Sequence, residues 1–301
     1  YRQSWYGYIG ANDSGASPCL FVSSTDKGDA LKLGLGSYAY RWAIGFKDWQ
    51  PNNPLSPSEL VDKAAQHGSD LLQIADNMPL DELSDTELET LATHAQSKNI
   101  DLELGTDGIT NGNAQTYLRI AGKLNAKLVR ATLSHQDLEG SRANLITSLK
   151  KVTEAYAEAG VTLALENHFL LSSEDLASLL KEVDRPSLGI CLDVANSIAS
   201  KEWPEKTIEV LAPFAVNLHL KDYRFEIDPY GVGFKAVGVP LGEGELDIQN
   251  VFEALKKEKK EVNVVLEHWL PKEQIEQEGL AAEDRWTTKS LAVAQRNIRA
   301  R

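Results

Sequence analysis

Four short apolar runs of the sequence each carry an ionisable side chain near their end. The runs LALENH, GICLDVANS, VNLHLKDY and VVLEHW contain, in this order, Glu166, Asp193, His219 and Glu267. If the four side chains converge without a cation, they repel each other, and the carboxyl pKa values have to rise by several units. A divalent metal removes this conflict. Because oxygen ligands with one nitrogen suit Mn²⁺, we expect one bound Mn²⁺, with Mg²⁺, Co²⁺ or Zn²⁺ as alternatives.

The elements that must position these residues are strands. In Val216–Tyr223, apolar residues alternate with Asn217, His219 and Lys221, which is the pattern of a strand with one apolar face. Eight such strand patterns alternate with eight helix patterns along the chain. Capping boxes at Ser56 and Ser84 mark the starts of the first two helices.

Eight βα units in series allow a closed barrel or a doubly wound open sheet. The open sheet predicts a G-x-G-x-x-G turn after the first strand, Leu31–Tyr40, and this turn is absent. The barrel predicts functional groups at the carboxyl ends of many strands, as found here. We therefore predict a single (β/α)8 TIM barrel over residues 29–301. Residues 1–28 are rich in Gly, Ser, Asn and Asp, and we expect a disordered tail outside the domain.

The same strand periodicity predicts which side chains fill the barrel. Alternate residues of a barrel strand point inward. If Glu166 points inward, so do Gln73, Glu103 and Arg130 on their strands. We expect Glu103 and Arg130 to form a structural ion pair. Arg130 is also a candidate contact for an anionic substrate.

Other polar residues at the predicted barrel mouth have two interpretations each. His168 is a candidate substrate contact or a packed core residue, and Asn196 is a hydroxyl-binding or a turn residue. Lys221 has a catalytic or substrate-binding role, or it forms a salt bridge with Asp222. Trp42, in an aromatic-rich loop after the first strand, is predicted to contact substrate.

The segment Arg224–Leu246 is long for a connection from strand to helix and contains several glycines. It is predicted to act as a lid over the barrel mouth. Tyr230 and Phe234 are expected to supply its apolar cover.

Composition excludes several classes of protein. The net charge of −13 argues against a nucleic-acid groove, and no apolar run reaches the roughly 18 residues of a membrane helix. Two cysteines do not make a disulfide framework, and the N-terminus lacks the pattern of a secretory signal. We expect a cytoplasmic protein with a small carbohydrate substrate and no nucleic-acid or membrane partner. Self-association into a homo-oligomer remains open.

The motifs ALENH, GICLDVANS, NLHLKD with GVPLGEGELD after it, and VVLEHW resemble those of the xylose isomerase-like superfamily. This superfamily includes sugar epimerases, inosose dehydratases and endonuclease IV-type enzymes. The resemblance implies that Glu166, Asp193, His219 and Glu267 are the metal ligands and that the two glutamates move the proton. Ketose 3-epimerases usually have a His where this chain has Asn196. The segments GLGSYAYRWAIG and QIADNMPL look like a subgroup that includes 3-oxo-isoapionate decarboxylase.

Three functions fit these residues. The first is a metal-dependent sugar isomerase or epimerase acting through an enediolate, with Glu166 and Glu267 as base and acid. The second is a decarboxylase of a 3-oxo sugar acid such as 3-oxo-isoapionate, with Lys221 binding the departing carboxylate. The third is a non-catalytic sugar-acid binding protein that keeps the metal. The sequence alone does not choose between them.

Overall fold

The computed structural model of the protein describes residues 31–110 and 112–299, so the predicted tail at 1–28 lies outside the described residues. The strands are β1 Leu33–Gly36, β2 Leu71–Ile74, β3 Asp101–Asp107, β4 Leu128–Thr132, β5 Thr162–Glu166, β6 Leu188–Asp193, β7 Ala215–Leu220, β8 Asp222–Ile227, β9 Phe234–Val239 and β10 Asn263–Leu266. The helices are α1 Arg41–Ile44, α2 Pro57–Gln66, α3 Asp85–Ser97, α4 Asn113–Leu124, α5 Arg142–Glu158, α6 Ser173–Val183, α7 Pro204–Leu211, α8 Ile248–Lys257, α9 Lys272–Glu278 and α10 Ala281–Arg299.

Eight of the strands form a closed parallel barrel, which confirms the predicted fold. Their order around the barrel is β1-β10-β7-β6-β5-β4-β3-β2. On each strand, the alternate apolar side chains point outward and pack against the helices. Examples that are fully buried in the main core are Leu163, Leu165, Ile190 and Leu192. Each such side chain contributes about 1.5–3 kcal/mol to the free energy of unfolding. The side chains between them on each strand therefore face the barrel interior.

Both predicted capping boxes are present. Glu59 Oε2 accepts the backbone N–H of Ser56 at 2.8 Å, and Ser56 Oγ accepts the backbone N–H of Glu59 at 3.3 Å. Ser84 and Glu87 repeat this arrangement at the start of α3. These contacts satisfy backbone groups that the first turn of a helix leaves without partners.

The predicted first strand is shorter than the pattern indicated. Strand β1 ends at Gly36, Ser37–Tyr40 forms a 3₁₀ turn, and α1 follows directly. The chain therefore leaves the barrel wall after Gly36, four residues before the predicted end of the strand. Its next residues, including Tyr38 and Arg41, lie over the barrel mouth instead of within its wall.

The segment predicted as a lid loop contains an antiparallel hairpin, β8 with β9. Its base is fixed by Asp222, whose carboxylate accepts the backbone N–H groups of Gly242 at 2.8 Å, Gly244 at 3.0 Å and Leu246 at 3.0 Å. A Cβ on Gly244 would lie 2.2 Å from Asp222 Oδ1, so only glycine allows this close approach. None of the helices in residues 31–110 and 112–299 combines the length and the apolar character that a membrane crossing requires.

Candidate active site

The four predicted ligands meet inside the carboxyl end of the barrel. Glu166 ends β5, Asp193 ends β6, His219 lies near the end of β7, and Glu267 follows β10. The Nδ1 atom of His219 lies 3.5 Å from Glu267 Oε2, 3.7 Å from Glu166 Oε2 and 3.9 Å from Asp193 Oδ2. All four side chains are buried, with at most 5% exposed. The structure thus brings the whole predicted set together.

The orientation of the His219 ring is fixed by a chain of hydrogen bonds beneath it. The Glu103 carboxylate accepts from Gln73 Nε2 at 3.1 Å, so the Gln73 oxygen faces the other way. That oxygen lies 2.8 Å from His219 Nε2 and can only accept, which places an N–H there. In a neutral imidazole the lone pair is therefore on Nδ1, beside the three carboxylates.

Lys221, the predicted catalytic or substrate-binding cation, contacts two of the ligands. Its Nζ lies 2.5 Å from Asp193 Oδ2 and 3.5 Å from Glu267 Oε2. Burial raises the pKa of Asp193 to about 6, and the ammonium offsets only part of this shift. The alternative salt bridge between Lys221 and Asp222 is wrong, because the Asp222 carboxylate is occupied by the backbone of Gly242–Leu246.

Glu166 is the most constrained of the carboxylates. Arg130 Nε donates to its Oε2, and Asn196 Nδ2 donates to its Oε1 at 2.7 Å. Burial acts to raise the pKa of Glu166, but the positive charges of Arg130, His219 and Lys221 together outweigh it and hold the pKa below its usual value. Both oxygens of Glu166 are therefore occupied by donors.

The predicted ion pair between Glu103 and Arg130 is wrong. Arg130 is in register with Gly105, so Glu103 lies one inward layer lower in the barrel. Arg130 instead donates from Nη1 to Asp76 Oδ1 at 3.1 Å, in addition to its bond with Glu166. Glu103 is satisfied by neutral amides, and burial raises its pKa.

A divalent metal fits the side chains that the barrel presents. Asp193, His219 and Glu267 offer donor atoms within 4.8 Å of one another. His219 Nδ1 and Glu267 Oε1 are buried and have no hydrogen-bond partner in the part of the chain that the structure describes. Gly36 leaves room for Glu267, since a Cβ there would lie 2.9 Å from Glu267 Cγ. Carboxylate oxygens with one imidazole nitrogen suit Mn²⁺, Mg²⁺, Co²⁺ or Zn²⁺.

A cavity of about 570 Å³ opens onto these residues. The predicted substrate contacts Arg130, His168 and Asn196 all line it, together with Lys221. His168 stacks on Phe169 with ring centroids 3.9 Å apart. Burial lowers the pKa of His168, which favours its neutral form. A cavity of this size holds a small polar ligand.

Trp42, the remaining predicted substrate contact, does not line this cavity. Its indole Nε1 donates to the carbonyl of Leu270 at 2.7 Å, and the ring packs in a separate cluster with Trp286. The neighbouring Arg41 and Phe46 line the cavity instead. Trp42 is thus placed to support these two residues from behind.

Sequence reasoning missed Tyr38 and Asp76, which also line the cavity. The Tyr38 hydroxyl donates to Asp76 Oδ2 at 2.9 Å, and Asp76 in turn accepts from Arg130. Continued alternation from Gln73 would place Ala75 and Asn77 inward, but β2 ends at Ile74 and the alternation stops there. The sequence signal that could have pointed to these residues was the pair of segments GSYAYR, which contains Tyr38, and QIADN, which contains Asp76.

The hairpin contributes to the cavity through its base. Tyr223 and Ala236 line the cavity, whereas Tyr230 is 88% exposed and Phe234 is 74% exposed. The apolar cover predicted from these last two residues is therefore absent in this structure.

The sequence matches that of known proteins over most of its length. Residues 61–290 match the xylose isomerase-like TIM barrel family. The chain is 31% identical over 261 residues to 3-oxo-isoapionate decarboxylase of Pectobacterium atrosepticum, covering 87% of this chain and 94% of that protein.

Solved structures share the fold at lower identity. The D-psicose 3-epimerase of Clostridium cellulolyticum H10, determined with D-tagatose, superposes with a TM-score of 0.68 at 18% identity, covering 89% of this chain and 99% of that one. The probable 3-DHS dehydratase AsbF of Bacillus anthracis superposes with a TM-score of 0.64 at 15% identity, covering 88% and 98%. The family match and the identity with the decarboxylase establish that this chain belongs to the xylose isomerase-like TIM barrel family.

Proposed function

We propose that this chain is a metal-dependent decarboxylase of a small 3-oxo sugar acid. The observation that carries the proposal is the difference between the two glutamates. Arg130 and Asn196 occupy both oxygens of Glu166, whereas Glu267 Oε1 has no hydrogen-bond partner among the described residues. Epimerisation needs one group to remove a proton and another to return it on the opposite face, but decarboxylation needs a single proton donor. The 31% identical decarboxylase supports the same reaction.

Asp193, His219 and Glu267 are the residues that would hold the metal, with Glu166 as the fourth predicted ligand. A divalent ion there would supply Lewis-acid stabilisation of negative charge on adjacent substrate oxygens. Lys221 adds a fixed positive charge beside the same point, because its ammonium contacts Asp193 and Glu267. Electrostatic stabilisation by such preorganised groups is commonly the largest single contribution to catalysis.

The reaction balances without an oxidant. The bond between the carboxylate carbon and the carbon beside the ketone breaks, and its electron pair moves toward the ketone to give an enediolate. The carboxylate leaves as CO₂. Glu267 takes up one proton from solvent at Oε1 and passes it to the vacated carbon, which completes the ketose product and returns Glu267 to its ionised form.

Isomerisation or epimerisation of a ketose is the second candidate. It is favoured by the positions of Glu166 and Glu267, whose carboxylates lie 3.7 Å and 3.5 Å from the same His219 nitrogen. For this reaction, Glu166 would have to leave Arg130 and act as the second proton-transfer group. A sugar-acid binding protein remains the non-catalytic alternative.

Proton NMR in D₂O distinguishes these functions. The Mg²⁺-loaded protein is incubated with 3-oxo-isoapionate and, separately, with a panel of ketoses. Release of CO₂ with deuterium at the vacated carbon is the expected result. Deuterium incorporation into a ketose without loss of carbon would contradict the proposal in favour of an epimerase. Binding without either change would favour a binding protein.

Two matched substitutions test the roles of the glutamates. Glu267→Gln should lower turnover by about 10²–10⁴-fold, because it removes the proton donor. Glu166→Gln should have a clearly smaller effect, and Glu276→Gln on the exposed face of α9 serves as the surface control. Equal losses in the Glu166 and Glu267 variants would point to a two-group mechanism instead.

We also propose a cytoplasmic location, which is supported by the low cysteine count of the chain. The family supports a small carbohydrate as the partner.

A further inference from the structure

Three cationic side chains line the cavity, and they differ in their partners. Arg130 contacts Glu166 and Asp76, and Lys221 contacts two carboxylates of the ligand set. Arg41 also lines the cavity but forms no ion pair with any carboxylate in residues 31–110 and 112–299. It is therefore the cavity cation whose charge no neighbouring acid neutralises at contact distance.

The guanidinium of Arg41 is held in place by neutral groups. Its Nη2 donates to the carbonyl of Leu270 at 2.8 Å. Its central carbon lies 4.8 Å from the ring centroid of Trp42 and 5.3 Å from that of Phe46. Stacking of this kind fixes the plane of a guanidinium without consuming its donors. The Nε has no hydrogen-bond partner among the described residues, but it is buried, so donation to a ligand in the cavity has to come from the Nη atoms.

The backbone that carries Arg41 is fixed as well. Glu283, the acid that attracts Arg41 most strongly, directs its two oxygens elsewhere. They accept the backbone N–H groups of Trp42 at 2.8 Å and Ala43 at 3.0 Å. Glu283 thus anchors the segment and leaves the guanidinium without a contacting acid.

We propose that Arg41 binds the carboxylate of the sugar-acid substrate. This inference rests on the proposed function and specifies its substrate class as anionic. A protein with a net charge of −13 repels anions overall, so an anionic substrate needs a local unpaired cation. Guanidinium is the group that matches a carboxylate with two parallel hydrogen bonds.

The position of Arg41 suits a short substrate. Leu270 lies three residues after Glu267, so an extended chain places the anchoring carbonyl within about 11 Å of the proton-donating residue. Phe46 lines the cavity beside the guanidinium, with its ring centroid 5.3 Å from the central carbon of Arg41.

Calorimetry with a stable acid and its uncharged counterpart tests the proposal. L-Threonate and L-threitol are titrated into the Mn²⁺-loaded protein. Arg41→Gln keeps a donor for the Leu270 carbonyl but removes the charge, and it should weaken threonate binding by about 10- to 100-fold. Threitol binding should stay within about twofold of the wild type. Arg41→Lys should retain part of the affinity for threonate.

Lys47→Gln is the matched control, because Lys47 is an exposed cation in the segment after α1 that does not line the cavity. It should bind both ligands as the wild type does. The proposal is overturned if Arg41→Gln binds threonate normally, if it loses both ligands equally, or if the wild type shows no preference for the acid. A melting temperature for each variant checks that it is folded.

These outcomes are separable from the failure of decarboxylation itself. If Arg41→Gln loses the preference for threonate but no 3-oxo acid releases CO₂, the anion site stands and the reaction is wrong. If the wild type and Arg41→Gln release CO₂ with the same KM, the reaction stands and the role of Arg41 is wrong.

Discussion

Replacing Gln73 with Leu should weaken Mn²⁺ binding although Gln73 is not a predicted ligand. Its oxygen lies 2.8 Å from His219 Nε2 and is oriented by Glu103, which accepts the Gln73 amide at 3.1 Å. Leu keeps the side-chain bulk but removes the acceptor, so the imidazole proton is free to move to Nδ1 and block metal binding. Loss of such a supporting hydrogen bond typically costs about 10- to 100-fold in metal affinity.

The assay is calorimetric titration of Mn²⁺ into chelator-stripped protein, with a melting curve for each variant. Asn263→Ala is the matched control. Asn263 donates to the other oxygen of Glu103 at 2.8 Å, so its removal disturbs the same buried network without removing the acceptor for His219. It should bind Mn²⁺ within about twofold of the wild type.

The reasoning is refuted if folded Gln73→Leu binds Mn²⁺ as tightly as the wild type. It is also refuted if Asn263→Ala loses as much affinity, since the effect then belongs to the network as a whole. In either case His219 would not depend on Gln73 for its ligating form.

Three further predictions concern other parts of the molecule. Lys221→Met should bind Mn²⁺ at least as tightly as the wild type, because the lysine ammonium that competes for Asp193 is gone. The variant should nevertheless lose turnover. Loss of Mn²⁺ binding in calorimetry would contradict this prediction. Amide hydrogen exchange in the hairpin should slow when threonate binds, because Tyr223 already faces the cavity; unchanged exchange would argue against a lid. Burial raises the folded-state pKa of Glu283 from 4.5 to about 8. The folded protein therefore holds this proton more tightly than the unfolded chain, and the resulting stabilisation is fully present below about pH 4.5. Up to about 5 kcal/mol of the free energy of unfolding is lost as the pH rises through 8. In urea denaturation, the stability of Glu283→Gln relative to the wild type should therefore be greater at about pH 8.5 than at about pH 5.5. The same difference at both pH values would contradict the pKa shift.

The barrel and the ligand set could be predicted because both follow from strand periodicity. In a closed parallel barrel, the carboxyl ends of all strands meet at one face, so residues at those ends necessarily converge. Glu166, Asp193 and His219 lie within strands. The register shift between β6 and β7 comes before Asp193 and His219, so alternation still fixes the direction of each side chain. Their convergence therefore required no knowledge of the loops.

Contacts that depend on height in the barrel or on loop geometry could not be predicted in this way. Alternation places Glu103 and Arg130 both inward but does not give the register, which puts them in different layers. Past the strand ends, alternation no longer applies. For this reason Asp76 was missed as a cavity residue. Trp42 was predicted to contact substrate, whereas the neighbouring Arg41 is the residue that lines the cavity.

The hairpin was missed for a related reason. The segment RFEI alternates polar and apolar residues as strands do, but FKAV breaks the alternation at Val237, and both segments lie near glycines that are typical of a loop. A two-stranded ribbon is marginal on its own, so its formation depends on the anchoring of Asp222 to the following turn.

The most direct test of the account is the metal content of the purified protein after chelator treatment and reconstitution, measured by elemental mass spectrometry. We expect one divalent ion per chain in the wild type and its loss in both Asp193→Asn and His219→Ala. The proposed metal site is wrong if the wild type takes up no metal, or if the folded variants retain it.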